Sequence, residues 1–274
     1  MATSRQRASA LAEPVEGRQE LLIDERRRLI RELVQAQGRV SVEELSTRFD
    51  ISVVTIRSDL NALAAAGLVV RTHGGALAQS DTEELPITVK QKLHHDQKVR
   101  IAIEAARLIR DGETIMLDSG TTTAEIAKQI RSLRIESLNV ITNALNIAVL
   151  LASTPHVNLI MLGGQLRPHS YSLSGPQAVA ALEGLYADRL FLGVDSLDPD
   201  IGLMTPHLLE AQLNLQMLKN SREVIAVADS SKLMKRNLSV IAGVEQIDKL
   251  ITDRSADPAI VEQLRRRGVD VTLC

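Results

Sequence analysis

From residue 94 to the end, short apolar runs alternate with stretches of helical spacing. The runs "ETIMLD", "LNVIT", "VNLIML", "RLFLGV", "EVIAVAD", "DKLITD" and "VDVTL" read as strands, with helical patterns between most of them. The helical stretches include 94–110, a segment running to about Arg131, and "ALNIAVLLAS". Strands alternating with helices require a mostly parallel sheet, so residues 94–274 are expected to form one α/β domain. No internal repeat or low-complexity tract interrupts it.

The preceding residues have another rhythm. Residues 1–18 are polar and unpatterned, as a disordered tail would be. A first helix is expected in "ELLIDERRRLIRELVQAQ", with Leu22, Leu29, Ile30, Leu33 and Val34 on one side and Gly38 as its stop. Ser41 and Glu44 have capping-box spacing for a second helix that buries Val42, Leu45 and Phe49. Ser52 caps a third, "VVTIRSDLNALAAA", ended by Gly67. "LVVRTHGGAL" reads as two strands around a Gly74-Gly75 turn. Residues 19–78 therefore predict a winged helix-turn-helix, and the polar stretch 79–93, with Pro86, a linker.

The third helix has two distinct sides. Ile56, Leu60 and Leu63 share the core side, whereas Val54, Arg57, Ser58 and Asn61 share another. That second side offers an arginine for guanine or phosphate, an amide for adenine or phosphate, and a methyl for thymine. Ser52 and Thr55 stand at the helix start, where free N–H groups meet phosphates. Arg71 and His73 in the wing are placed to grip a neighbouring phosphate. Double-stranded DNA is the expected partner. Charge alone does not announce it, since residues 1–78 hold eleven Arg, no Lys and ten acidic residues. The competing reading is a helical hairpin that packs on the second domain with a solvated polar face.

Composition narrows the rest. Two Phe, two Tyr and no Trp give no stacking platform for single-stranded bases. The single cysteine, Cys274, excludes an intrachain disulfide. Six scattered histidines without a Cys/His cluster argue against a metal site, and no cofactor motif is present. No signal peptide or membrane-length apolar run is seen, so a cytoplasmic location and no membrane partner are expected.

The stretch "LDSGTTTAEIA" (117–127) lies where a strand gives way to a helix. It has neither the lysine of a nucleoside-triphosphatase loop nor the spacing of a dinucleotide motif. Ser119, Thr121, Thr122 and Thr123, with a helix dipole behind them, suit a phosphate, and Gly120 permits close approach. Other strand ends are also polar: Asn143, Gly163-Gly164, Asp195, and "DSSK" from Asp229 to Lys232. Each alone is an ordinary turn, but together they fit a ligand crevice at the carboxyl edge of a sheet.

"VEELSTRFDISVVTIRSDLNALAAAGLVVRTHGGA", with its T-I-R-x-D-L segment and R-x-H-G-G-A wing, resembles the head of the DeoR family of bacterial repressors. Members often carry a second basic residue where Ser58 stands, which bears on the bases read. The resemblance runs on through "LDSGTTT", "TN", "GG" and "DSSK" to an effector domain similar to ribose-5-phosphate isomerase. It implies that Ser119, Thr121, Thr122, Thr123 and Lys232 hold a sugar phosphate and that Asp118, Asn143 and Asp195 face sugar hydroxyls. It also puts Glu210 near the isomerase's catalytic glutamate. "FLGVDSLDPDIGL" and "DSGTTT" resemble, more loosely, the branch controlling N-acetylgalactosamine, galactosamine or galactitol use.

The isomerase also needs a lysine in a K-G-G-G-like segment before that glutamate, and "DPDIGLMTPHLLE" has none. Losing a group that stabilises the developing oxyanion removes several kcal/mol of catalysis. A repressor released by a phosphorylated sugar is therefore expected, not an enzyme. The alternative is a sugar-phosphate isomerase or transferase with the head as an interaction module. Reading two half-sites calls for a homo-oligomer, a dimer or tetramer.

Overall fold

The computed structural model describes residues 23–66, 68–72, 74–78 and 86–274. The chain divides into two compact units, with the boundary between His94 and His95. The expectations for residues 1–18, Leu22, Gly67, His73 and the polar stretch 79–85 lie outside the described residues.

In the first unit, α1 (Ile23–Gln37), α2 (Val42–Phe49) and α3 (Val53–Ala65) precede a hairpin of β2 (Val69–Thr72) and β3 (Gly75–Ala78). Gly38 ends α1 with φ of 75°, a conformation glycine adopts without Cβ strain. Ser41 and Glu44 form the reciprocal capping box of α2, and the Ser52 hydroxyl accepts from Thr55 N at α3. Ile30, Leu33, Val34, Val42, Leu45, Ile56, Leu60 and Leu63 make the core, while Leu29 and Phe49 are only half-buried. A third strand, β1 (Arg39–Ser41), pairs with β3 and widens the hairpin into a three-stranded sheet. Three residues carry no period, so sequence gave no sign of it. Pro86 precedes a one-turn helix, α4 (Ile87–Lys90), whose Ile87 is buried, so part of the expected linker is helical.

One polar residue sits inside this small core. Asp59 of α3 is buried and accepts from Arg26 Nε at 2.6 Å and Arg27 Nε at 2.9 Å, tying α3 to α1.

The second unit is built on seven parallel strands: β4 (Thr114–Leu117), β5 (Leu138–Thr142), β6 (Val157–Met161), β9 (Ala187–Gly193), β12 (Ser221–Val227), β14 (Lys249–Thr252) and β15 (Asp270–Leu273). Their order is β15-β14-β12-β9-β4-β5-β6. The helices are α5 (His95–Ala106), α6 (Thr121–Ile130), α7 (Leu145–Leu151), α8 (Pro176–Ala180), α9 (Leu208–Lys219) and α10 (Pro258–Arg266). Helix α5 stops short of 110 because its end tightens into i→i+3 bonds, Leu108 N to Ala105 O and Ile109 N to Ala106 O. Ile109 stays buried, which is why the apolar pattern outran the helix.

Short strands complete the unit. The hairpin of β7 (Gln165–Arg167) and β8 (Ser172–Ser174) follows β6, and β10 (Ser196–Asp198), β11 (Gly202–Thr205) and β13 (Ser239–Ala242) form an antiparallel sheet. From β4 the chain steps through β5 to β6 on one side, then returns to lay β9 on the other. The connections reverse between β4 and β9, and ligands of open α/β sheets bind outside the carboxyl ends at such a point.

Candidate functional site

The carboxyl ends of β4 and β9 are joined by one carboxylate. Asp118 Oδ1 accepts from Gly193 N at 3.0 Å and from Gly120 N at 3.2 Å. Gly120 and Gly193 face each other closely: a Cβ on either would lie 3.3 Å from the other's Cα and 3.1–3.2 Å from Asp118 Oδ1. Glycine at both positions lets the two loops touch. Burial pushes the Asp118 carboxyl up to about 7; the bonds from Gly193, Thr123 and Gly120 pull against it, and Asp195 adds to the rise.

Helix α6 starts at this junction without a side-chain cap on Gly120. Its first-turn N–H groups and the positive end of its dipole suit an anion. The four hydroxyls are not equivalent. Thr123 is buried and donates to Asp118 O (3.0 Å) and Gly120 O (2.8 Å), so it shapes the loop. Thr122 is also buried, whereas Ser119 and Thr121 are half-buried and make no side-chain hydrogen bond among the described residues.

The neighbouring strand end supplies a cation. Val227 of β12 pairs with Gly193, and a 3-10 turn, Ser230–Lys232, follows. The buried Asp229 caps that turn by accepting from Ser231 N at 3.1 Å. Asp253, beyond β14, accepts from Ser230 N (2.6 Å), Ser230 Oγ (3.1 Å) and Ser255 N (3.0 Å). Burial raises the Asp253 carboxyl, but these donors more than offset it and hold it below its usual range. Lys232 is half-buried, with no ion-pair partner among the described residues. With strands about 4.8 Å apart, the ends of β12, β9 and β4 span roughly 10 Å.

On the other flank, Asn143 follows β5 and is buried. Its Nδ2 donates to Leu173 O at 3.1 Å and its backbone O accepts from Leu173 N, which fastens the β7–β8 hairpin to the sheet. Its buried Oδ1 has no hydrogen-bond partner among the described residues. Gly164, at φ of 118°, passes so close to the hairpin that a Cβ would lie 2.6 Å from Ser174 O, so it serves that contact, while Gly163 is exposed. The hairpin also reaches Glu210 of α9, which pairs with Arg167 and accepts from Ser172 Oγ at 2.5 Å and Ser170 Oγ at 3.3 Å. A carboxylate so engaged is held in place against the hairpin. Asp195, after β9, accepts from Thr205 Oγ1 at 3.1 Å.

In the first unit, Val54, Arg57, Ser58 and Asn61 all lie on the exposed side of α3, with Ser52 exposed and Thr55 half-exposed at its start. Arg71 is turned inward: its Nε donates to Asn61 Oδ1 at 3.0 Å. The spacing rules that placed Arg71 in the wing gave no sign of this bond, because it spans two elements.

Comparison with known proteins accounts for both units. The DeoR-like helix-turn-helix domain matches residues 26–82, and the DeoR C terminal sensor domain matches residues 93–254. The chain belongs to the DeoR family. A protein of Escherichia coli O157:H7 named as a transcriptional repressor of the aga operon is 39% identical over 91% of this chain and 93% of its own. The glycerol-3-phosphate regulon repressor of Escherichia coli K12 is 31% identical over 89% of this chain and 96% of its own. A ribose 5-phosphate isomerase A from Methanocaldococcus jannaschii is similar over 52% of this chain and 56% of that one, at 22% identity and a TM-score of 0.38.

The DeoR chain is thus a transcription regulator and not an enzyme, with a helix-turn-helix head and a sensor body. Among the described residues no helix is long and apolar enough to cross a membrane. Sequence reading missed Asp59, Arg167, Ser172 and Asp253. The nearest signal for Asp59 was an acid on the apolar side of a helix, which calls for a partner. The other three depend on pairings no local pattern encodes.

Proposed function

We propose that this DeoR regulator represses a carbohydrate-use operon and is released from its operator by a phosphorylated sugar. The observation that carries the reading is the uncapped start of α6 at the β4/β9 switch point, with the turn that presents Lys232 following β12, the strand on the other side of β9. In this reading Ser119, Thr121, the α6 N–H groups and Lys232 take the phosphate, with Gly120, Thr122 and Thr123 shaping the loop. Asn143, Asp118 and Asp195 meet sugar hydroxyls, and a hydroxyl donor would satisfy the orphan Asn143 Oδ1. Glu210, Asp229, Gly163 and Gly164 hold the walls. Relatives named for the aga operon and the glycerol-3-phosphate regulon are consistent with a phosphorylated effector.

Residues 19–78 form the DNA-binding head in this reading, 79–93 the linker and 94–274 the effector domain. Ser52, Thr55 and His73 position the head on phosphates, and Val54, Arg57, Ser58 and Asn61 meet base edges. A cytoplasmic homo-oligomer, dimer or tetramer, places two heads on two half-sites. Induction requires the sugar phosphate to prefer the DNA-free arrangement, typically by about 1–3 kcal/mol.

Calorimetry with a panel of phosphorylated amino sugars and hexitols, each beside its unphosphorylated form, tests the pocket. Lys232→Ala removes a charged partner of the phosphate, a loss of about 1.5–3 kcal/mol, so affinity falls roughly 10- to 150-fold. Operator binding without ligand is retained, and cells carrying the variant stay repressed when inducer is supplied. Equal binding of free sugar and sugar phosphate sinks the phosphate cradle. For the head, Arg57→Ala costs about 1–3 kcal/mol of specific operator affinity, measured by gel shift at fixed salt. Unchanged affinity removes α3 from the interface.

A further inference from the structure

The Arg71 side chain touches both the wing turn and the recognition helix. Its Nε donates to Asn61 Oδ1 at 3.0 Å, while one terminal nitrogen donates to Thr72 O at 3.1 Å and to Gly75 O across the turn. Burial, and then the charge of Arg57, hold the guanidinium below its usual pKa, so the two cations lie near each other. Arg71 is half-buried and committed to three protein acceptors, whereas Asn61 is exposed on the side of α3 that carries Arg57.

An asparagine free to turn reads adenine through both ends of its amide, accepting from N6 and donating to N7. Here the oxygen end is already taken. We infer that Arg71 is a specificity-determining positioning residue, which fixes Asn61 with its carbonyl inward and its amide outward so that α3 presents a donor to the major groove. A donor alone favours an edge rich in acceptors, and guanine offers N7 and O6. Arg71 then sets which base Asn61 prefers instead of gripping a phosphate itself. The inference rests on the reading of α3 as the DNA-contacting helix.

The test is selection of bound sequences from a pool of randomised duplex DNA by the full-length protein, with affinities of the enriched duplexes then measured across salt concentrations. Wild type should enrich a motif containing a guanine whose preference Asn61→Ala erases. Arg71→Lys, which keeps the charge but loses the fork, should erase the preference at that same base pair, by roughly 10- to 100-fold. Its salt dependence should match wild type, and the double variant should lose nothing further. Preference retained at every base pair in Arg71→Lys, or a uniform loss with a flattened salt slope, overturns the inference, as does adenine at the Asn61 position.

Circular dichroism reports whether Arg71→Lys folds. If it does not, Asn61→Asp decides, since it keeps an oxygen for Arg71 and turns the outward donor into a charged acceptor. It should exchange the guanine preference for bases that donate, and an unchanged guanine preference again overturns the inference. A wild-type protein that enriches no sequence, or an Arg57→Ala variant identical to wild type, sinks the DNA reading itself and the inference with it.

Discussion

Asp59→Ala unfolds the head and leaves the body standing. The substitution strips the carboxylate from Arg26 and Arg27, and Arg26 is buried in the α1–α3 interface. Breaking a buried pair by removing one partner costs about 3–5 kcal/mol. The head has little to spare, since a domain of some 60 residues is stable by roughly 3–8 kcal/mol and buries a small core. Amide hydrogen exchange should show protection collapsing across the helices and wing of the first unit while the strands of the seven-stranded sheet keep theirs. Operator binding should vanish and sugar-phosphate binding persist. Undiminished protection in α1 and α3 would mean that the pair contributes little.

Asp118→Asn should remove a pH dependence that the wild type shows between about 4 and 7. A carboxyl raised to about 7 on folding, from an ordinary value of 3.8, stabilises the fold fully below the lower value. That contribution is lost as pH climbs through the upper one, since a buried anion must then form. Three units correspond to about 4 kcal/mol. Asparagine keeps the oxygen that accepts from Gly193 and Gly120 but never ionises. Chemical denaturation of both proteins from pH 4.5 to 8 should therefore show wild type losing stability relative to the variant by up to that amount as pH rises. Parallel curves would show that the Asp118 carboxyl is not raised.

Both residues illustrate what the chain discloses and what it hides. The capping box at Ser41 and Glu44, the buried stripe Ile56-Leu60-Leu63 and the main strands are local patterns, and the fold reproduces them. The loop 118–123 was legible because strand, glycine, hydroxyls and helix are contiguous. Its raised carboxyl was not, since that comes from burial, and burial is set by tertiary packing that brings in residues as distant as Gly193, 75 residues away. The short strands β1, β7, β8, β10, β11 and β13 lie outside the apolar runs and the glycine-tipped hairpin that marked the other strands. The Glu210–Arg167–Ser172 cluster and the Arg71–Asn61 bond join separate elements, so spacing rules do not see them.

The switch point between β4 and β9 also has a meaning in time. The core of the head draws on residues from Ile30 to Ala76, so it is complete early in synthesis. The site proposed for the sugar phosphate cannot form until β9, ending at Gly193, has been made and laid against β4, which ends at Leu117. At ~5–20 residues per second, that leaves an interval on the order of ten seconds on the ribosome. During it, each newborn chain carries a finished head core and a half-sheet, so the part read as binding DNA is made before the part read as sensing the sugar.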